Sequence, residues 1–136
     1  LCTPLPSHYR FPFGYDVWPI NGARYLSLHA DSDLIVPVPA NATSIHWEYC
    51  ILRGAYEREG DGTDGVVFII DGESPDGSTR ELFRRVLDPV SVPGDRGDQT
   101  ADIPYAPRTG ERLIFRTRNN GTASFDWGAS RSILVK

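Results

Sequence analysis

The sequence contains no methionine and only two cysteines among its 136 residues, and its net charge is −4. Without a start methionine, the chain is expected to be a segment of a longer protein. Two cysteines are too few for a disulfide scaffold of the kind that small secreted domains use. The slight acidic excess disfavours nucleic-acid binding, because that function needs a concentrated basic surface. No apolar run approaches the ~20 residues of a membrane-spanning helix, so we expect no membrane insertion by this segment.

The two cysteines, Cys2 and Cys50, leave one question open. In an oxidising compartment they could form a disulfide, worth about 4 kcal/mol in the chain-entropy treatment of loop closure. In a reducing compartment both would be free thiols. The sequence alone favours neither state.

Glycine and proline are abundant, with 13 and 11 residues respectively. Such frequent turn formers favour many short strands over long helices. The segment 44–53 (SIHWEYCILR) alternates as a strand with one buried face does, and the uninterrupted apolar run 66–70 (VVFII) is typical of a strand buried on both faces. About eight short strands follow one another in this way. The sequence therefore predicts one all-β domain over residues 1–136, an antiparallel β-sandwich.

The first 23 residues differ from the rest, because turn-forming residues alternate there with aromatic ones. This composition predicts an irregular aromatic and proline-rich arm over residues 1–23, which can contribute one short edge strand. In the remainder, the apolar residues expected to form the centre of the core are Phe68, Ile69, Leu113 and Phe115.

The later part of the chain, residues 44–136, resembles β-sandwich modules of the novel putative carbohydrate-binding module type, NPCBM. The resembling stretches are 47–54 (WEYCILRG), 63–70 (TDGVVFII), 110–116 (GERLIFR) and 124–128 (SFDWG). Related jelly-roll domains occur in extracytoplasmic parts of bacterial membrane glycosyltransferases. The resemblance implies a jelly-roll-like, non-catalytic, extracytoplasmic accessory domain. Its partners would be a glycan or polysaccharide and a neighbouring domain of the parent protein.

Aromatic and acidic side chains are the candidates for contacting a glycan. Sugars present CH-rich faces that stack on Trp and Tyr, while their hydroxyls bond to polar side chains. The candidates are Tyr15, Asp16 and Trp18 in the arm, and Trp47 in its strand. Trp18, beside Pro19, is the best candidate for an exposed contact. Trp47 has apolar companions two residues away on either side, which is also the pattern of a core residue.

Jelly-roll modules often carry a structural calcium ion, and the acidic loops of this chain offer candidate ligands. These are Asp61, Asp64 and Asp126, which would need help from carbonyl groups because calcium takes six to eight oxygens. Their alternative role is an ordinary turn, and no other cofactor is expected. We also expect Trp127 to be largely buried near the last strand, and Asp126 to bond local backbone or a cation.

Two other functions remain open. The domain could be a structural or protein-interaction sandwich that packs against a neighbouring domain. Alternatively, it could be a small glycan hydrolase, with Glu48 or Asp126 as a carboxyl group of raised pKa. The tripeptide Arg96-Gly97-Asp98 matches an integrin-recognition motif and is interpreted as a plain turn.

Overall fold

The short apolar runs and the turns between them form strands. A computed structural model describes residues 22–122 and 124–136, together with the backbone of 8–10 and 17–20. The strands are β1 (His8–Arg10), β2 (Val17–Ile20), β3 (Ala23–Ser27), β4 (Ser32–Val36), β5 (Ser44–Ile51), β6 (Val66–Glu73), β7 (Thr79–Leu87), β8 (Gln99–Pro104), β9 (Arg112–Asn119) and β10 (Gly128–Val135). Two single-turn 3-10 helices span Arg53–Ala55 and Pro93–Asp95. Within the described part of the chain, no helix has the length and apolar character needed to cross a membrane.

The strands form two five-stranded sheets. Their orders are β1-β4-β9-β6-β7 and β2-β3-β10-β5-β8, and all strand pairs are antiparallel. Among the described strands, only the connections β2–β3 and β6–β7 stay within one sheet. The last strand, β10, lies in the middle of its sheet, between β3 and β5. The predicted all-β, jelly-roll-like antiparallel sandwich is confirmed.

The core between the sheets is built around aromatic rings. Trp47 lies 4.8 Å from Tyr49, 5.7 Å from Phe68 and 5.0 Å from Phe115, measured between ring centroids. These rings come from β5, β6 and β9, so they join the two sheets. All four residues predicted to be buried are so, with exposed fractions of 0% for Phe68, 6% for Ile69, 0% for Leu113 and 0% for Phe115. Phe68, Leu113 and Phe115 belong to the core between the sheets, whereas Ile69 lies on the opposite face of β6.

The region predicted as an irregular arm contributes two strands, one more than the sequence suggested. β1 pairs with β4 at the edge of one sheet, and β2 pairs with β3 at the edge of the other. Pro19 is compatible with β2 because an edge strand needs hydrogen bonds on only one side. The described part of the N-terminal region therefore forms one edge strand of each sheet.

Candidate ligand-binding site

A pocket of about 390 Å³ opens beside β3 and the end of β5. Its floor is apolar, its walls carry aromatic rings, and its rim carries charged side chains. The lining residues are Tyr25, Cys50, Ile51, Leu52, Arg53, Gly54, Tyr56, Gly97, Asp98 and Trp127. Two other depressions in the described surface, around Glu73–Arg112 and Val38–Glu111, have no aromatic lining residue.

Trp127 forms one wall of the pocket, held by the segment that follows β5. The N–H of Leu52 donates to the Trp127 carbonyl at 2.8 Å. A Cβ atom on Gly54 would lie only 2.8 Å from the indole ring, so only glycine allows this close approach. The ring is half-buried and lines the pocket. Most of the Trp127 side chain is buried against the core, as expected, and its exposed remainder lines the pocket.

The Phe125 ring packs against the Trp127 ring. The two rings meet edge to face with centroids 5.8 Å apart, and the guanidinium of Arg58 lies 3.8 Å from the Phe125 centroid. Phe125 has φ +57, a left-handed conformation that costs a non-glycine residue about 1–2 kcal/mol. Packing against Trp127 and Arg58 offsets this strain. The segment before β10 is thus shaped to present the indole.

Asp98 supplies a carboxylate at the rim. The hydroxyl of Tyr25 donates to both its oxygens at 3.1 and 3.0 Å, and Arg131 Nη1 donates to Oδ2 at 3.4 Å. Burial and the Asp98 carboxylate raise the pKa of Tyr25 to about 12, so this hydroxyl remains a donor. The Asp98 side chain is still 42% exposed. Because a carboxylate has about four acceptor positions, Asp98 can accept further hydrogen bonds from a ligand.

Two residues of the tripeptide Arg96-Gly97-Asp98, namely Gly97 and Asp98, line the pocket. Arg96 Nε donates to the Pro89 carbonyl at 2.7 Å, and its guanidinium lies 5.8 Å from the Tyr56 ring centroid. Gly97, at φ +77, donates its N–H to the Tyr56 hydroxyl at 3.4 Å. Arg96 and Gly97 therefore make their contacts with other residues of this domain. It acts as a turn that holds Tyr56.

Cys50 forms part of the apolar floor. Burial, together with the nearby Asp98 carboxylate, raises the pKa of the Cys50 thiol to about 12, so it stays protonated. Cys2, the other half of the predicted disulfide, lies outside the described residues. The disulfide therefore stays a prediction.

The residues predicted to bind a glycan fall in three different places. Trp47 is a correction: it is 0% exposed, and its Nε1 donates to Ser130 Oγ at 3.0 Å inside the core. The alternation of β5 turns it inward, so no ligand can reach it. The backbone register pairs Trp18 with Tyr25, a pocket-lining residue. Tyr15 and Asp16 lie outside the described residues, so the predicted roles of these two and of Trp18 stay predictions.

Sequence reasoning missed the residues that form the pocket. The sequence predicts no role for Tyr56, a turn at Asp98 and a packing role for Trp127. The available signal is weak: Tyr56 lies two residues after Gly54 and just before a run of charged residues, in a segment that is neither a strand nor apolar. The three residues meet because the strands beside them, β10, β5 and β8, are neighbours in one sheet.

Of the predicted calcium ligands, the fold brings Asp64 and Asp126 together, while Asp61 is exposed. Asp126 is 0% exposed, and its Oδ1 accepts a hydrogen bond from the Thr63 hydroxyl at 2.8 Å, not from local backbone. Burial, with the neighbouring Asp64 and Asp31 charges, raises the pKa of Asp126 to about 7. The described residues contain no cluster of three or more His, Cys, Asp or Glu side chains that could hold a metal ion.

Comparison with known proteins identifies solved structures of similar fold. No protein-family model matches the chain, and no curated protein matches it. The carbohydrate-binding module CBM51 from Clostridium perfringens GH95, solved in complex with methyl-galactose, is similar over 96% of this chain and 93% of its own, with a TM-score of 0.64 and 10% sequence identity. A family 6 carbohydrate-binding module is similar over 96% of this chain and 87% of its own, with a TM-score of 0.54 and 9% identity. At these identities the likeness establishes a shared β-sandwich fold.

Proposed function

We propose that this domain binds a glycan, without catalysis, in the pocket between Tyr56, Asp98 and Trp127. The observation that carries the proposal is the half-buried Trp127 ring, which lines a pocket whose rim holds a carboxylate. A pyranose has an apolar face that stacks on such a ring and hydroxyls that donate to such a carboxylate. The volume, about 390 Å³, lies within the roughly 300–1,000 Å³ of ordinary small-ligand sites.

The fold comparison supports glycan binding, because the two similar structures are carbohydrate-binding modules and one was solved with methyl-galactose. The wider context comes from the resemblance to NPCBM-type modules. In this proposal the domain is an extracytoplasmic accessory part of a larger protein, such as a membrane glycosyltransferase. There it holds the glycan beside a neighbouring domain of the same chain.

The number of carboxylates in the pocket favours binding over hydrolysis. A glycosidase needs two carboxyl groups on one glycosidic bond, and Asp98 is the one carboxylate among the described pocket-lining residues. Asp126 has a raised pKa but is fully buried, so it cannot touch a substrate. Glu48 lies on the sheet surface, 3.4 Å from His46 Nε2 and 3.8 Å from Arg131 Nε. Neither of the carboxyl groups suggested by the sequence is placed for catalysis.

A glycan array followed by calorimetric titration with the best glycan tests the proposal. We expect Asp98→Asn to weaken binding about 10- to 150-fold, because it removes a charge-assisted hydrogen bond worth roughly 1.5–3 kcal/mol. The matched control is Asp102→Asn, whose side chain is 73% exposed on β8 and does not line the pocket. It should bind like the wild type.

Two results would contradict the proposal. If no glycan on the array binds, the protein-interaction alternative gains weight, with the exposed Val86, Val90 and Val92 as its candidate surface. If a glycan binds equally well to the Asp98 variant and the wild type, the binding site lies elsewhere on the sandwich.

A further inference from the structure

The pocket described above offers a ligand aromatic surface and one carboxylate. Tyr25, Tyr56 and Trp127 are the aromatic residues of its described lining, and Asp98 is the carboxylate. Tyr56 and Trp127 are both half-buried, so part of each ring stays open to a ligand. The combination of aromatic rings with a single negative charge narrows the chemistry of the ligand.

The hydrogen-bond donors of the lining are mostly engaged within the chain. The Tyr25 hydroxyl donates to Asp98. Arg53 pairs with Glu57, with Nη2 2.8 Å from Oε2 and Nε donating to the same oxygen at 3.0 Å. An unsubstituted pyranose has several hydroxyl groups, each of which both donates and accepts hydrogen bonds. The pocket therefore suits a ligand group that needs few donors from the protein.

Two further arginines beside the pocket also have partners. Arg131 lies between two acids, with Nη1 3.4 Å from Asp98 Oδ2 and Nε 3.8 Å from Glu48 Oε2. Arg96 donates to a backbone carbonyl and lies beside the Tyr56 ring. Because a carboxylate has about four acceptor positions, Asp98 still presents negative charge to a ligand. Its exposed part is thus placed to neutralise a cation in the pocket.

We propose that the glycan bound here carries a quaternary ammonium substituent of the choline class, held by Tyr56, Trp127 and Asp98. This inference rests on the proposed glycan binding and specifies the chemical class of the ligand. A trimethylammonium group has no N–H and no acceptor, so it needs no hydrogen bond from the pocket. Its charge is attracted to aromatic faces within about 6 Å, and its methyl groups pack on apolar surface. Ile51 and Leu52 supply such surface in the lining.

A lipid headgroup could carry the same ammonium group, but the surface favours a glycan as the carrier. A domain that docks on a bilayer places exposed apolar side chains in the interface. The large apolar side chains exposed on the described surface are Val86, Val90 and Val92. None of them lines the pocket.

Titration of isotopically labelled protein with choline chloride tests the ammonium site directly and needs no glycan. The indole N–H signal of Trp127, assigned from its loss in Trp127→Phe, reports on the pocket in nuclear magnetic resonance spectra. We expect saturable shifts with a Kd of about 1 mM, and none with sodium chloride at equal ionic strength. The matched ligand is the uncharged dimethylbutanol isostere, in which carbon replaces the ammonium nitrogen. It should bind about tenfold more weakly, because it lacks the charge.

Two variants test the residues that hold the ammonium group. Asp98→Asn removes the counter-charge and Tyr56→Leu removes one aromatic face, so each should weaken choline binding about tenfold. The matched control is Asp61→Asn, an exposed acid outside the described lining, which should bind choline as the wild type does. Melting curves show whether each variant folds, and either variant suffices if the other does not.

Three results would overturn the ammonium site: no saturable shift at about 10 mM choline, equal binding of choline and its isostere, or wild-type choline binding by the folded variants. The proposed glycan site would still stand if a glycan without ammonium groups bound and Asp98→Asn weakened that binding. A polysaccharide bearing phosphocholine should bind at least tenfold more tightly than the same polysaccharide after these groups are removed. Binding to phosphatidylcholine vesicles, but to neither polysaccharide, would overturn the glycan as the carrier.

Discussion

Two buried carboxyl groups, Glu111 and Asp126, have opposite surroundings. Glu111 accepts hydrogen bonds from Arg80 Nε and Nη2, both at 2.8 Å, and from the Tyr105 hydroxyl at 2.6 Å. The guanidinium of Arg80 is the main reason that the pKa of Glu111 is lowered to about 2, whereas burial raises that of Asp126 to about 7. Burial alone therefore does not decide the state of a carboxylate. The hydrogen-bond donors around a buried carboxylate decide whether it ionises easily. Glu111 has three such hydrogen bonds and stabilises the fold as an anion, whereas Asp126 has one, from Thr63, and is costly to ionise.

Breaking the ion pair between Arg80 and Glu111 should lower the stability of the fold most. Arg80→Met leaves the Glu111 carboxylate buried without its cation, which should lower the free energy of unfolding by about 3–5 kcal/mol. Urea unfolding measures this loss. The control is Arg84→Met, because the Arg84–Glu81 pair has side chains 52% and 47% exposed and should contribute less than about 1 kcal/mol. Equal losses in the two variants would show that the buried Arg80–Glu111 pair stabilises the fold no more than the exposed Arg84–Glu81 pair.

The contribution of Glu111 to the free energy of unfolding should decrease progressively as the pH is lowered. The pKa of Glu111 is lowered from 4.5 to about 2 in the folded protein, so its contribution is fully present above the unfolded value. That contribution is lost as the pH falls from about 5 to 2, and it amounts to about 3 kcal/mol. The measurement is the difference in unfolding free energy between wild type and Glu111→Gln as a function of pH. A difference that stays constant over this range would show that Glu111 is not ionised through its pairing with Arg80.

Removing the charge of Asp126, in contrast, should raise the stability of the fold. At slightly alkaline pH, Asp126→Asn removes a buried charge on which two other acids, Asp64 and Asp31, act. We expect the variant to be more stable than the wild type by about 1–3 kcal/mol. Thermal and urea unfolding would show this. A destabilised variant would mean that a partner compensates the ionised carboxylate of Asp126, and the contrast with Glu111 would fail.

The smallest effect concerns the pocket wall near Asp126. Gly54→Ala places a Cβ atom 2.8 Å from the Trp127 ring and must displace it, at a cost of about 1–2 kcal/mol. Gly94→Ala is the control, since a Cβ atom there meets nothing within 4 Å, and its effect should stay within about 0.5 kcal/mol. Crystal structures of both variants would show whether the indole moves. If the indole ring keeps its position in Gly54→Ala, Gly54 does not determine where Trp127 lies in the pocket wall.

The core could be predicted from the sequence, and the pocket could not. Alternation in β5 and the apolar run in β6 identify which side chains turn inward, because a strand has a two-residue period. That period is local information. Tyr56 and Trp127 meet through the order of strands in a sheet, which no local pattern encodes. Asp64 and Asp126 were both singled out as acidic loop residues, but their contact depends on how distant loops close over the end of the sandwich.

The central position of β10 has a consequence for biosynthesis. This strand occupies residues 128–135 and is flanked by β3 and β5, which leave the ribosome far earlier. Until β10 emerges, β3 and β5 each keep one side of their backbone without its final partner, and exposed edges of this kind invite pairing between chains. Aggregation during translation should therefore depend on the delay between β5 and β10. A nascent chain arrested before residue 128 would be the species that most needs a chaperone.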